Sequence, residues 1–565
     1  MRNLATGRTT EFFVAQIFQS DLALVSAADD GQYRDMSNNS KLLPGSAHPS
    51  RRDFLKTSVA AAAGWWAAPT EAATGNGSPD IAGSVWERPP KQRGNGLNLI
   101  VLVSDTFRRD NLECYGSKWV ECPHLNRFAR QSVIFDDFYP EGMPTIVIRR
   151  TLYTGRRVIP CYYFPQHEPV QLPGWHQLYF EDVTLSETLM MAGYLTALIA
   201  DLPHFFRPGR NFHRGFNVFN WERGQEFDFY GTSPHQLLDV SEVVSEAYLK
   251  RFPGLHAFLS QYLANRARWK KRGESLAQIV SERAMAWLRE NSGQKPFYLQ
   301  VEAFDPHEPW DPPARFLEKY MPNAHGPSYL EPPYATVRLP EPIKERFRAN
   351  YAGEASCVDY WFGKVLETIE DLGLMESSIV VFLSDHGAML GEQGQFVKGP
   401  DKLRGQVTHI PLLVRLPGKR YAGQHVSGFV QVPDVMPTLL GLLGLKPPSR
   451  VTGSDFWPLV TGETRSLRDS VVQTYGWVGV VRTREWNYSQ VWNPEARRAS
   501  YRPQLYNLQD DAEELTNVID RHPDVAKRLS KLMRDYIASG QGMTLGSFNG
   551  RPEVQIGSTY ISRPD

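Results

Sequence analysis

The sequence predicts an α/β fold in which a central, mostly parallel sheet is flanked by helices, followed by a smaller C-terminal α+β subdomain. Two apolar runs, residues 97–105 (LNLIVLVSD) and 377–387 (SSIVVFLSDHG), are typical of strands buried on both faces of a parallel sheet. Helical segments alternate with such strands along most of the chain, which indicates βα units. From about residue 466 the pattern changes to antiparallel strands and one closing helix.

The other elements of the α/β part follow in chain order. They are a helix in CPHLNRFARQ, a strand in SVIFDDFY, a helix, turn and strand over 183–201, an amphipathic helix over 275–291, a strand over 296–305, a strand over 410–418 and a helix over 433–445. In the C-terminal part, VVQTYGWVGVVRTREWNYSQVW predicts the antiparallel strands, and HPDVAKRLSKLMRDYIASG predicts the closing helix.

Composition and charge exclude several classes of protein. The chain has 565 residues, of which 41% are hydrophobic, so it can bury a large core. Lys plus Arg and Asp plus Glu both number 62, which gives no electrostatic reason to expect nucleic acid or an anionic membrane as partner. The four cysteines show no metal-type spacing and are too few for a disulfide scaffold.

The N-terminal region predicts export. SRRDFLK at residues 50–56 precedes an apolar stretch with a small-residue end, which is typical of a twin-arginine signal that exports folded proteins to the periplasm or beyond. The stretch is too short for a stable membrane span. Cleavage is expected near Ala72–Ala73, and Met36 is a candidate true initiator; a peptide from residues 1–35 in the precursor would contradict that start.

These boundaries give five segments. They are residues 1–73 (extension and signal), 74–95 (linker), 96–460 (main α/β domain, expected to hold the active site), 461–540 (C-terminal subdomain) and 541–565 (tail).

Acidic residues follow the two longest apolar strands. Asp105 and Asp385 each end such a strand, and His386 comes next in the chain. Ligands of open α/β sheets bind outside the carboxyl ends of the strands, so two adjacent strands would bring these side chains to one crevice. Two carboxylates and an imidazole suit a divalent metal. The alternative is that each aspartate caps the following turn.

A third strand end carries further polar groups. FDPHEPWDPP places Asp305 and His307 after the strand over 296–305. Taken alone, His307 also fits a structural loop histidine. The loop over 201–228 mixes acids, histidines, arginines and aromatics, and Asp201 and His204 are its candidate substrate-binding pair, with Asp305 beside them. The alternative is a long solvated loop.

The stretch MPTIVIRRTLYTGR (143–156) predicts a helix that begins at Thr145. One interpretation is an ordinary N-cap, in which the threonine hydroxyl accepts a backbone N–H. The other is a nucleophile and metal ligand at a helix N-terminus, with Arg149 one turn further on to hold an anion.

Three ordered blocks, SDTFRRDNLECYGSKWVECPHLNRFARQSVIFDDFY, FDPHEPWDPP and LSDHGAMLGEQGQFVKG, resemble the sulfatase family of the alkaline phosphatase superfamily. The resemblance runs from about residue 97 to 520 and includes the later blocks HIPLLVRLPG, VPDVMPTLLGLLGL and LYNLQDDAEELTN. It implies an alkaline phosphatase-like fold and one metal, Ca²⁺ by family analogy, with Mn²⁺, Mg²⁺ or Zn²⁺ also suited to the ligands.

The resemblance also assigns roles to residues. It implies that Asp105, Asp385 and His386 bind the metal, that Lys398 binds the anion and that His307 contacts the ester near the leaving group. The family often has a second acid directly after the first, and here that residue is Thr106. His409 and His425 are weaker candidates for the site.

The departure from the family lies in the nucleophile motif, Cys (or Ser)-x-Pro-Ser-Arg, ten residues before a Thr-Gly. Counting back from Gly155 places Thr145 at the nucleophile and Arg149 at the motif arginine. A threonine cannot become formylglycine, whose hydrate expels sulfate by collapsing to the aldehyde, so a threonine ester needs water to release the bound group. Threonine and serine nucleophiles of this superfamily resemble those of phosphatases and phosphodiesterases.

The sequence therefore predicts an exported hydrolase of phosphate or sulfate esters of small molecules or saccharides, with phosphate esters favoured. The alternatives are a sulfuric ester hydrolase that works without formylglycine, and a family member that binds metal and anion without turnover. The oligomeric state is not readable from the sequence.

Overall fold

The structure is a computed structural model that describes residues 92–161, 172–206, 209–231, 237–493 and 501–540, with four short strands beyond residue 546. The predicted extension and export signal, and the linker up to residue 91, lie outside the described residues, so they stay predictions. In the part of the chain that the structure describes, no helix is both long and apolar enough to cross a membrane.

The strands are numbered β1–β21. They are β1 (Asn98–Ser104), β2 (Val133–Phe135), β3 (Phe138–Tyr139), β4 (Gly142–Met143), β5 (Leu195–Ala200), β6 (Val218–Trp221), β7 (Phe297–Ala303), β8 (Ser378–Ser384), β9 (Met389–Leu390), β10 (Phe396–Val397), β11 (Leu412–Arg415), β12 (His425–Val426), β13 (Val430–Gln431), β14 (Val471–Tyr475), β15 (Val478–Arg482), β16 (Trp486–Val491), β17 (Gln504–Asn507), β18 (Ser547–Phe548), β19 (Arg551–Pro552), β20 (Val554–Ile556) and β21 (Thr559–Ile561).

The described α-helices are numbered α1–α12. They are α1 (Pro123–Ala129), α2 (Thr145–Thr154), α3 (Leu185–Met191), α4 (Glu246–Arg251), α5 (Leu255–Trp269), α6 (Leu276–Asn291), α7 (Ala314–Leu317), α8 (Glu341–Asp371), α9 (Gly405–Thr408), α10 (Val435–Leu442), α11 (Trp457–Thr461) and α12 (Pro523–Gly540). Short 3₁₀ turns lie at Arg109–Asn111, Glu113–Tyr115, Pro203–Phe205, Met375–Ser377, Glu392–Gly394, Pro417–Lys419, Val432–Asp434 and Ile519–Arg521.

An eight-stranded sheet forms the centre of the main domain, in the order β12-β2-β11-β8-β1-β7-β5-β6. The five strands from β8 to β6 are parallel, and β11 runs antiparallel to both of its neighbours. Every residue of β1, β7 and β8 is buried, as the apolar runs predict for central parallel strands. The predicted α/β fold is confirmed.

Apolar side chains fill both faces of this sheet. On one face, Val103 of β1 and Leu383 of β8 belong to the core cluster that contains Ile148 of α2. On the other face, Leu102 and Phe382 belong to the cluster that includes residues of α1, α6 and α8. The two sets alternate along each strand because successive side chains point to opposite faces. Helix α2 lies on the first of these faces, where Arg149 and Tyr153 reach Glu302 and Gln300 of β7.

A second, five-stranded sheet has the order β17-β16-β15-β14-β4. Strands β14 to β17 are antiparallel, and helix α12 packs on them through Leu529 and Met533. The fifth strand, β4, comes from the main domain and pairs with β14 in parallel. Because β4 ends at Met143, the segment that leads into α2 belongs to the C-terminal sheet.

Candidate active site

The ends of three adjacent strands form the floor of the site. Ser104 at the end of β1 pairs with Ser384 of β8 on one side and Ala303 of β7 on the other. The residues that follow these strands therefore leave the sheet at the same edge. The structure thus brings together Asp105 and Asp385, as the sequence predicts for adjacent parallel strands.

Asp105, Asp385 and His386 form a compact buried group, the metal-ligand group. Together with Arg149 and Glu302, these three residues make up what we call the aspartate cluster. One potential ligand atom from each of the first three residues lies within 4.8 Å of the others. His386 Nδ1 is 3.0 Å from the Gly387 carbonyl oxygen, an acceptor, which assigns the ring proton to Nδ1. Nε2 then carries the lone pair. This nitrogen lies 3.8 Å from Asp105 Oδ1 and 3.6 Å from Asp385 Oδ2.

The donor atoms of this group fit a divalent cation. His386 Nε2 and Asp105 Oδ2 are buried and make no hydrogen bond, and Asp105 Oδ2 lies 3.3 Å from Arg149 Nη2. Burial of polar atoms without hydrogen bonds is costly. Burial lowers the pKa of His386 to about 4, so the imidazole is neutral, as a metal ligand must be. Burial also raises the pKa of Asp105, and the neighbouring Asp385 raises it further. A cation between the two carboxylates would relieve this repulsion.

Thr106 links the two aspartates through a strained backbone. Its φ of 60° lies in the left-handed region, which costs a β-branched residue on the order of 1–3 kcal/mol. Its N–H donates to Asp385 Oδ1 at 3.0 Å, and its hydroxyl donates to Asp105 Oδ1 at 2.8 Å. Asp385 Oδ1 also accepts the N–H of His386. This oxygen therefore caps the turn, as the alternative interpretation of the aspartates predicts, while Oδ2 does not take part in the cap.

Arg149 of α2 inserts its guanidinium among three carboxylates. Its Nε donates to Glu302 Oε2 at 3.0 Å, its Nη1 donates to Asp385 Oδ2, and its Nη2 lies 3.3 Å from Asp105 Oδ2. Burial alone would lower the pKa of Arg149, but the three carboxylates raise it above its usual range. Arg149 is therefore a permanent cation at the edge of the metal-ligand group.

Thr145 is the first residue of α2 and is buried. The N-cap is Pro144 in an extended conformation, and no side chain caps the helix, so the N-cap interpretation of Thr145 is wrong. The helix begins one residue earlier than that interpretation requires, because the proline already supplies the non-helical cap conformation. Thr145 precedes Arg149 by four residues, so both lie on the same face of α2.

Lys398 is the centre of a second group, the lysine cluster, which contains His307, Glu308, Glu226 and His204. Lys398 Nζ lies 2.7 Å from His307 Nε2 and 3.2 Å from Glu308 Oε1. His307 Nδ1 lies 2.7 Å from the Glu308 carbonyl oxygen, so it carries the ring proton. Burial and the charge of Lys398 lower the pKa of His307. Burial alone would lower the pKa of Lys398, but Glu308 and Asp105 raise it, so the shared proton resides on the lysine.

The predicted substrate-binding residues separate into two sets. His204 Nε2 lies 3.2 Å from Glu226 Oε2, which joins this histidine to the lysine cluster. Asp201 and Asp305 instead share the Gln225 side-chain amide, at 2.9 and 2.8 Å. Asp201 also accepts the N–H of Phe304, and burial raises the pKa of Asp305 to about 6. Both carboxylates brace loops, and their contact with substrate stays a prediction.

His409 and His425 lie away from both clusters. His409 Nε2 is 2.6 Å from the Asp136 carbonyl oxygen, and its ring stacks on Tyr139. His425 Nδ1 is 2.8 Å from Asp136 Oδ1. Both histidines therefore support the strand segment around Asp136 rather than the site.

Sequence reasoning missed three buried glutamates of the site. Glu302 was detectable, because it is the one carboxyl group in the strand FYLQVEA of β7, which is buried throughout. Glu226 lies in the loop that follows β6, and Glu308 follows His307 directly. Neither loop residue stands out by spacing, since loop conformation alone decides that they meet Lys398.

Two profiles of protein families match the chain. One, described as "Sulfatase", matches residues 97–445, more than half of the chain. The other, described as "N-sulphoglucosamine sulphohydrolase, C-terminal", matches residues 391–539.

Individual proteins agree with these profiles. The chain is similar to an arylsulfatase of Clostridium perfringens, at 24% identity over 80% of this chain and 96% of the relative. It is also similar to the iduronate 2-sulfatase of Mus musculus, at 24% identity over 66% of this chain and 73% of the relative. Among solved structures, the phosphonate monoester hydrolase of Agrobacterium radiobacter shares the fold, with a TM-score of 0.58 and 20% identity over 83% of this chain and 100% of that chain.

Proposed function

The chain belongs to the sulfatase family, and from that premise we propose that it is a metal-dependent hydrolase of phosphate or sulfate esters that uses Thr145 as nucleophile and prefers phosphate esters. The observation that carries the proposal is the start of α2, where Thr145 stands one helical turn before Arg149. Arg149 in turn contacts Asp105 and Asp385. The helical spacing thus puts Thr145 on the same face of α2 as an arginine whose guanidinium adjoins the metal-ligand group.

Asp105, Asp385 and His386 would hold the divalent ion, with the Thr145 hydroxyl as a further candidate ligand. When bound, the ion supplies positive charge that lowers the pKa of a nearby hydroxyl and neutralises ester oxygens. Carboxylate oxygens with one imidazole suit Ca²⁺, Mg²⁺, Mn²⁺ and Zn²⁺, and the resemblance to the family favours Ca²⁺.

In the first step, the Thr145 oxygen attacks the phosphorus or sulfur atom of the ester. The new bond forms as the bond to the alcohol oxygen breaks, and the hydroxyl proton is released to water. Arg149 stabilises the charge on the non-bridging oxygens through its N–H donors. The departing alcohol oxygen takes a proton from the pair formed by Lys398 and His307.

In the second step, water attacks the covalent threonine ester. The bond to the Thr145 oxygen breaks, this oxygen takes back from water the proton that it released in the first step, and inorganic phosphate or sulfate is released. The proton lost by water returns to the pair of Lys398 and His307, whose imidazole is neutral and whose Nε2 carries a lone pair. The lysine cluster thus acts as acid in one step and as base in the next.

The names of similar proteins indicate which class of substrate to expect. One relative is named for aryl sulfates, another for a sulfated uronate and one structure for phosphonate monoesters. We therefore propose an ester of a small alcohol, phenol or saccharide as substrate. Phosphate esters are preferred because a threonine ester cannot expel sulfate as a formylglycine hydrate does. Water has to attack the bound group instead, and such threonine nucleophiles resemble those of phosphatases.

The test compares Thr145→Ala with the wild type on aryl phosphate, bis-aryl phosphate and aryl sulfate, with the protein loaded with Mn²⁺ or Ca²⁺. We expect phosphate ester hydrolysis by the wild type and a loss of kcat on the order of 10⁴-fold or more in the variant, since removal of a catalytic nucleophile costs about that or more. Activity is measured as release of the phenol.

Two further variants control this experiment. Thr145→Ser keeps a hydroxyl and should keep substantial activity. Thr151→Ala removes a buried hydroxyl of the same helix, which donates to the Ile148 carbonyl, and should leave the chemistry intact. Full activity of Thr145→Ala would refute the nucleophile. Turnover of aryl sulfate alone would favour a sulfuric ester hydrolase, and metal binding without any turnover would favour a non-catalytic protein.

A further inference from the structure

Strand β7 carries polar side chains on one face although the whole strand is buried. Tyr298, Gln300 and Glu302 alternate along it, so all three point to the face that α2 covers. Central parallel strands are normally apolar, and burial of polar groups costs free energy unless they are hydrogen-bonded. The polar groups of these three side chains therefore need hydrogen-bond partners inside the core.

The three side chains form a continuous hydrogen-bonded row that ends at Glu302. Tyr298 OH donates to Gln300 Oε1, and Gln300 Nε2 donates to Glu302 Oε1. Tyr153 of α2 joins the row, since its OH accepts from Gln300 Nε2 at 2.9 Å and lies 3.4 Å from Glu302 Oε1. One carboxylate oxygen of Glu302 is thus fixed by neutral donors.

The other oxygen of Glu302 fixes Arg149. Oε2 accepts the N–H of Arg149 Nε at 3.0 Å, which anchors one edge of the planar guanidinium. The two terminal nitrogens are then held on the opposite side, against Asp385 and Asp105. Glu302 therefore determines where the terminal N–H groups of Arg149 are presented.

We propose that Glu302 is a positioning residue that keeps the Arg149 guanidinium at the oxyanion site while Asp105 and Asp385 serve the metal. The proposal rests on the proposed role of Arg149 in binding the ester oxyanion. Asp385 contacts Arg149 through Oδ2, the oxygen that also faces His386. Asp105 contacts Arg149 through Oδ2, which accepts no hydrogen bond, so a bound cation competes with the arginine for both oxygens. Glu302 is outside that group and remains available to the arginine.

A purely structural role for Glu302 makes a different prediction. A carboxylate that only offsets a buried charge would affect folding stability, and its loss would leave anion affinity unchanged in the protein that folds. A positioning residue changes anion affinity and KM as well, because the donors of Arg149 lose their alignment. Affinity for a free anion therefore distinguishes the two roles without any turnover.

The experiment measures binding of inorganic phosphate and of sulfate to the Mn²⁺-loaded full chain by calorimetry, after a Mn²⁺ titration confirms loading. Glu302→Gln keeps the shape and one acceptor oxygen but removes the charge. We expect 10- to 100-fold weaker anion binding and a comparable fall in kcat/KM, which is roughly what loss of a partner behind a ligand costs. Tyr153→Phe removes one hydroxyl from the row and should shift affinity in the same direction by a smaller factor.

Asp359→Asn is the matched control. Asp359 is a buried carboxylate on α8, beyond the opposite face of the sheet, where it accepts the N–H groups of His124 and Leu125. Its loss should lower the melting temperature and leave anion affinity unchanged.

Unchanged anion affinity in Glu302→Gln overturns the proposal, and so does a wild type that binds neither anion. If Glu302→Gln does not fold, unchanged affinity in Tyr153→Phe overturns it. A wild type that binds the anions but hydrolyses no ester defeats the proposed function alone, and the affinities of the variants still decide the role of Glu302.

Discussion

The aspartate cluster and the lysine cluster are the two halves of the candidate site, and they balance charge in different ways. In the aspartate cluster, one guanidinium meets the carboxylates of Asp105, Asp385 and Glu302. In the lysine cluster, the ammonium of Lys398 is shared between a carboxylate and a neutral imidazole. The first arrangement calls for an additional cation, and the second stores a proton next to a base. In the proposed function, the aspartate cluster binds the charged group and the lysine cluster protonates the alcohol.

Removal of a metal ligand should give the largest effect. Asp385→Asn deletes a carboxylate that faces His386 and Arg149, so we expect Mn²⁺ affinity to fall by about 100-fold or more and activity to fall with it. Calorimetric titration with Mn²⁺ measures the first effect. Lys398 contributes no metal ligand, and its positive charge acts on Asp105, so Lys398→Gln should bind Mn²⁺ at least as tightly as the wild type. A loss of Mn²⁺ affinity in that variant would contradict the division into two halves.

A substitution in the lysine cluster should give an intermediate effect that depends on the leaving group. Lys398→Gln removes the stored proton, so we expect kcat to fall by roughly 10²- to 10⁴-fold for alkyl phosphates, which need protonation of the alcohol oxygen. For p-nitrophenyl phosphate, whose phenol leaves as an anion, the loss should be far smaller. The slope of log kcat against leaving-group pKa measures this difference, and equal losses on both esters would contradict the role of the cluster.

The smallest effect on activity is expected at Asp305, which the structure ties to Gln225 and Ala277 rather than to either cluster. Asp305→Asn should change KM by less than about threefold, as a bracing role implies. A larger rise in KM would support the predicted substrate contact.

The same variant should change the pH dependence of stability. Burial raises the pKa of Asp305 to about 6, above that of the unfolded chain, so the folded protein retains a proton that the unfolded chain loses. The wild type should therefore lose up to about 3 kcal/mol relative to Asp305→Asn as pH rises from 4 to 6, with no further change above 6. Thermal unfolding across this range, compared between the two proteins, measures it.

The site residues at the strand ends could be predicted from the sequence, whereas the other site residues meet only through the tertiary structure. Asp105 and Asp385 could be predicted because apolar strands end at them and adjacent parallel strands share an edge. Lys398 and His307 needed the family resemblance, since their contact joins residues about 90 positions apart through loops. The role of Glu302 could not be predicted, because its contact with Arg149 depends on how α2 packs over β7.

The strand β4 has a consequence for how the chain can be divided. It belongs to the C-terminal sheet by its pairing with β14, yet its last residue is two positions before Thr145. A fragment that stops near residue 460 would retain every site residue and still lose the partner strand that holds the segment entering α2. We therefore expect that an active fragment has to extend through α12, which packs on the C-terminal sheet.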